Sequence, residues 1–145
     1  MRLGGVVPVK TIAGPEIDKG ELQRYLSYVF TCPPMLLNHG SLEVTPAGDS
    51  TLRVRDREDP IGATVDLEID SNGRPLTCRA ERPRTAGKKA ILTPWRGVCR
   101  EVLEYDGLRV ASHVEAAWEF PEGKFTYFWA EVTSLAIIKA SAASL

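Results

Sequence analysis

A chain of 145 residues, 43% hydrophobic and 26% charged, has the size and composition of one globular domain that buries its own core. Its formal net charge of -1 argues against a general nucleic-acid binder, and no run approaches the roughly 18 apolar residues of a membrane span. Three cysteines, Cys32, Cys78 and Cys99, without CxxC spacing fit reduced thiols in a cytoplasmic protein. The two histidines, His39 and His113, lie too far apart in sequence to suggest a metal site, and no cofactor is implied.

Residues 1–17 read as an N-terminal extension without the apolar core of a signal peptide. Within it, residues 5–12 have strand character, and Pro8 confines such a strand to an edge. Asp18 and Glu21 have capping-box spacing, and Leu22, Tyr25, Leu26, Val29 and Phe30 recur at helical intervals. An amphipathic helix is therefore expected within 18–31, ended by Pro33-Pro34. From 41 to 138 the pattern alternates with period two, as in an antiparallel sheet. Strands are expected at 41–45, 51–55 and 62–70, and Asn72-Gly73 suggests a type I′ hairpin. That hairpin pairs Leu67 with Cys78, Ile69 with Leu76 and Asp66 with Arg79. Residues 82–90 read as a basic loop, and 139–145 as a frayed tail. The expected fold is α+β and mainly β, with about six to eight strands in one curved antiparallel sheet. One N-terminal amphipathic helix lies on its concave face, giving a half-barrel-like outline.

Three long strands follow Trp95, joined by turns at Asp106-Gly107 and Glu122-Gly123. Uninterrupted alternation puts Leu103, Tyr105, Leu108, Val110, Val114, Trp118, Phe120, Phe125, Tyr127 and Trp129 on one face. The same register sets Glu101, Ser112 and Thr133 in a polar row on that face, with Glu131 one step along. Polar groups within an apolar surface are the usual make-up of a small-molecule site. The two carboxylates would stand roughly 11–12 Å apart, beyond the roughly 5–9.5 Å of glycosidase pairs, so they are not read as a catalytic dyad. Charge is also segregated: Glu43 through Asp70 holds eight acids and three arginines, and Arg79 through Arg100 holds seven cations and one acid. Two solvated loops, an anion-binding rim with Arg82, Arg84 and Arg96, or complementary dimer patches would each account for this.

Several blocks resemble a known family. They are Gly20-Glu21-Leu22-Gln23-Arg24-Tyr25-Leu26 with Cys32-Pro33, then Arg82-Pro83-Arg84, Thr93-Pro94-Trp95-Arg96-Gly97, Tyr105-Asp106-Gly107, Trp118 and Gly123 to Tyr127. Together they resemble a bacterial family catalogued only as a domain of unknown function, across roughly residues 12–135. The resemblance implies no activity or catalytic residues. It implies longer relatives with a further sheet-forming region before the helix, so that this chain corresponds to the latter half.

Three readings follow. In the first, an apolar or amphipathic small molecule is held between sheet and helix by Trp118, Phe120, Tyr127 and Trp129, oriented by Glu101, Ser112, Thr133 and Glu131. In the second, that face is a solid core and an open sheet edge builds a homodimer. In the third, Glu101 or Glu131 is the acid-base group of an enzyme whose small anionic substrate sits on Arg82, Arg84 or Arg96.

Overall fold

The computed structural model describes residues 14–87 and 89–136. The expected edge strand at 5–12, with Pro8, and the tail at 139–145 lie outside the described residues.

Helix α1 spans Pro15–Ser27 and runs into a single 3-10 turn at Tyr28–Phe30. It begins three residues before Asp18, with Pro15 in its first turn and Asp18 N–H donating to Gly14 O at 3.0 Å. Proline suits this position because its missing N–H would be unpaired there anyway. The Asp18–Glu21 capping box is accordingly not formed; both residues sit inside the helix. A second short helix, α2, spans Met35–Asn38.

Seven strands follow: β1 (Leu42–Pro46), β2 (Thr51–Asp56), β3 (Thr64–Ile69), β4 (Pro75–Ala86), β5 (Lys89–Tyr105), β6 (Leu108–Phe120) and β7 (Gly123–Glu131). Each pairs antiparallel with its neighbours in sequence, giving one open sheet in the order β1 to β7. The expected mainly-β architecture with one packed helix is therefore present. Period-two alternation explains its two faces. On one, Val54, Val65, Leu67, Cys78, Trp95 and Ala116 meet Leu26, Val29 and Phe30 of the helical segment. On the other, Arg53 holds Asp66 through two bonds of 2.7 and 2.8 Å, and Arg55 reaches Glu43 at 2.5 Å. These arginines pair within the acid-rich segment, and Arg79 of the cation-rich segment approaches Glu68 at 3.9 Å.

Two polar contacts seat the helix. Gln23, 3% exposed, donates through Nε2 to Thr64 O at 3.3 Å and Glu81 O at 3.0 Å. It bridges β3 and β4 just past the Asp66–Arg79 pair at the end of their ladder. Arg82 Nη2 donates to Gly20 O at 3.0 Å. Gly20 is buried against Pro83 of β4, where a Cβ would stand in ordinary contact at 3.5 Å from Pro83 O.

Turns and bulges alter the expected register. Asp106 and Gly107 have φ of 49° and 79°, the two positive values of a type I′ turn. At Asn72-Gly73 only Gly73 has positive φ. There Asp70 Oδ1 accepts from the Asn72 and Arg74 N–H groups at 2.8 Å each, and Leu76 bulges out of the ladder, so Ile69 pairs with Pro75. The last turn lies at Pro121-Glu122, since Phe120 pairs with Gly123. Of the expected basic loop, residues 82–86 and 89–90 lie in the end of the β4–β5 hairpin, with Gly87 at φ 63° after β4.

Three extra residues decide which side chains share a face. Arg100 on β5 and Ser112 on β6 are skipped in the β5–β6 register, as Tyr127 on β7 is in the β6–β7 register. Each insertion reverses the alternation beyond it. Ala111 therefore joins the helix-side core, while Val110, still opposite Leu103, is buried outside that core.

Candidate functional site

A groove of about 380 Å³ opens between the end of α1 with its 3-10 turn and strands β4 to β7. Its wall is mostly apolar: Phe30, Trp95, Val114, Ala116, Phe128, Ala130 and Val132, with Tyr28 and Arg24 at the helical side. The volume lies within the roughly 300–1,000 Å³ of small-molecule sites. Gly97 forms part of the floor, where a Cβ would stand 3.3 Å from Trp95 Cη2. Cys78, fully buried on the same floor, has its thiol pushed up to about 12 by burial.

One wall is an aromatic cluster around a buried cation. Trp95 lies opposite Trp118 across the β5–β6 ladder and donates from Nε1 to Tyr127 Oη at 2.9 Å. Tyr127 stacks on Trp118, with ring centroids 5.9 Å apart and planes 23° apart. Arg82, 7% exposed, places Cζ 4.9 Å from the Trp95 centroid and 5.8 Å from that of Trp118. Cation–π attraction of this kind contributes about 0.5–2 kcal/mol, rising as water is excluded. Burial lowers the Arg82 pKa, and the Tyr127 hydroxyl opposes that shift. Two residues along the same face, Arg84 lies over Phe120 with Cζ 5.0 Å from the ring.

The expected site residues divide between the faces. Trp118, Phe120 and Tyr127 lie on the helix side with Arg82 and Arg84. Trp129 lies opposite Glu115, is 79% exposed, and belongs to the other face because the Tyr127 bulge reverses β7. Glu101 and Glu131 leave the helix side for the same physical reason. Glu101 pairs with His113, which in turn pairs with Glu131. His113 Nδ1 stands 2.6 Å from Glu101 Oε2, and Nε2 stands 3.6 Å from Glu131 Oε1. The two carboxylates expected far apart thus flank one imidazole on a half-exposed surface. Ser112 is fully buried and donates to Glu101 O at 3.2 Å, while Thr133 follows β7 as an exposed coil residue. The polar row across the apolar face is therefore not assembled. Arg96 faces away from Arg82 and Arg84, within 3.8 Å of Glu119. An acid-base carboxylate from Glu101 or Glu131 and an anion seat at Arg82 and Arg84 would lie on opposite faces of the sheet.

Sequence reasoning missed Phe128, Ala130 and Val132 as groove residues. The Tyr127 bulge exchanges Phe128 and Ala130 for Trp129 and Glu131, and no residue type announces it. Arg24 was legible as a helix residue but not as a groove residue. Its guanidinium bonds Glu21 at 2.5 Å and Tyr28 Oη at 3.2 Å, and the Glu21 carboxylate raises its pKa.

Among the described residues no group of three or more His, Cys, Asp and Glu side chains is placed to hold a metal ion, and no helix is long and apolar enough to cross a membrane. Compared with protein families, residues 1–130 match the model of a family of unknown function, DUF6544, and the chain belongs to that family. Neither the curated proteins nor the solved structures gave a match.

Proposed function

We propose that this member of the DUF6544 family binds an apolar or amphipathic small molecule in the groove between the helical segment and strands β4 to β7. The observation carrying the reading is the groove itself: about 380 Å³ of apolar-walled space where the helix stops covering the sheet. Burying a ligand's hydrocarbon there gains roughly 25 cal/mol per Å² removed from water. A neutral apolar dye, N-phenylnaphthylamine, tests it. Saturable fluorescence enhancement is expected with the native protein. Ala116→Trp, which drives an indole into the groove wall, should weaken the dye at least tenfold while circular dichroism stays native. Equal affinity in a folded Ala116→Trp protein would sink the reading.

A second reading is favoured by the outer edge of β7. Among the described residues no strand pairs with it, yet Phe125, Tyr127, Phe128 and Trp129 are all about half exposed or more. A second copy of the chain fits this edge by charge. Antiparallel self-pairing that sets Lys124 opposite Glu131 also sets Phe125 opposite Ala130, Thr126 opposite Trp129 and Tyr127 opposite Phe128. Both ends of such a two-fold ladder close with opposite charges.

A further inference from the structure

The groove's most unusual component is Arg82. It is 7% exposed, and among the described residues no carboxylate forms an ion pair with it. Its Nη2 is used by Gly20 O, and its Nε is buried without any hydrogen-bond partner. The Trp95 and Trp118 faces attract the cation without neutralising it. Buried charges are ordinarily paired, because an unpaired one is costly to hold out of water. The acidic residue lining the groove, Glu115, cannot serve: its carboxylate bonds Arg100 at 2.8 Å and approaches Lys124 at 3.7 Å.

We infer that the groove's ligand is an amphiphile with a monoanionic carboxylate head, and that Arg82 is the counter-ion for that head. The inference rests on the groove reading above and specifies the ligand's polar end. One buried guanidinium matches one negative charge, and guanidinium geometry suits a carboxylate. The neighbouring walls suit a hydrocarbon tail: Phe30, Val114, Ala116, Phe128 and Ala130 line the same groove. A head drawn to Arg82 would lie beside the Tyr127 hydroxyl, since Trp95 and Trp118 contact both residues. The hydroxyl already accepts from Trp95 and keeps its own proton to donate.

The test compares dodecanoate with dodecanol, two probes with one tail and different heads, below their aggregation limits at pH 8. Titrations followed by tryptophan fluorescence use the native protein and a folded Arg82→Gln variant. Dodecanoate should bind the native protein at least tenfold more tightly than dodecanol, and Arg82→Gln should abolish that preference. Equal binding of both probes to the native protein would overturn the Arg82 assignment and leave the groove reading standing. A carboxylate preference that survives in folded Arg82→Gln would overturn it too, by assigning the head to another cation. Failure of both probes, together with failure of the neutral dye, would remove the groove reading and this inference with it. The native-protein comparison remains decisive even if Arg82→Gln does not fold.

Discussion

The Cys78 side chain shows how burial sets chemistry at a single residue. It is fully buried, and desolvation raises its thiol from 9.0 to about 12. A thiol held protonated is a poor nucleophile, so aromatic disulfide reagents at pH 8 should leave Cys78 unmodified until denaturant is added. Peptide mass mapping of the labelled protein checks this; rapid native labelling would contradict the packing described. The raised value also has a sign for stability. Below about pH 9 the thiol is protonated in both states and has no effect. Between there and about 12 only the unfolded chain ionises readily, so stability falls as pH rises. Urea midpoints should fall less over pH 9–10.5 in Cys78→Ala than in the native protein. Arg82 is the polar counterpart of Cys78: the same face holds it, and its arginine chemistry prevents it from escaping by deprotonation.

At the scale of the element, the β5–β6 turn is the most exacting position. Asp106 adopts φ 49°, where a β-branched side chain clashes with its own backbone. Asp106→Val should destabilise by about 1–2 kcal/mol, and Asp106→Gly should be close to neutral, measured by urea unfolding. That turn was legible because aspartate and glycine report the dihedral directly. The Asp66–Arg79 and Leu67–Cys78 pairs were legible because polar and apolar sets agree across the hairpin. The helix was legible from its period, although Pro15 rather than Asp18 starts it. The bulges at Arg100, Ser112 and Tyr127 were not legible, since an inserted residue changes geometry without changing composition. They explain why Glu101, Glu131 and Trp129 were assigned to the wrong face. Arg82 and Arg84 were read as loop residues because cations ordinarily seek water. Trp95, Trp118 and Phe120 reverse that preference, and they become neighbours only once the sheet has formed.

For the whole molecule, the proposed pairing uses the edge of β7, which no other strand covers among the described residues. The charge-swapped pair checks this. Native protein should show a dimer mass by sedimentation equilibrium at tens of micromolar. Lys124→Glu should be monomeric, and Lys124→Glu combined with Glu131→Lys should recover the dimer. A native protein that stays monomeric throughout that range would exclude the pairing. The attachment of the helix has a different consequence, in time rather than space. Each strand neighbours the next in sequence, but Gln23 docks on Glu81 across 58 residues. A ribosome adds about 5–20 residues per second, so the helical segment emerges roughly 3–12 s before its seat on β4. During that interval Leu26, Val29 and Phe30 lack Trp95 and Ala116, which pack with them in the finished protein. The newborn chain therefore carries a hydrophobic segment awaiting its partner, the kind of segment that chaperones at the tunnel exit capture.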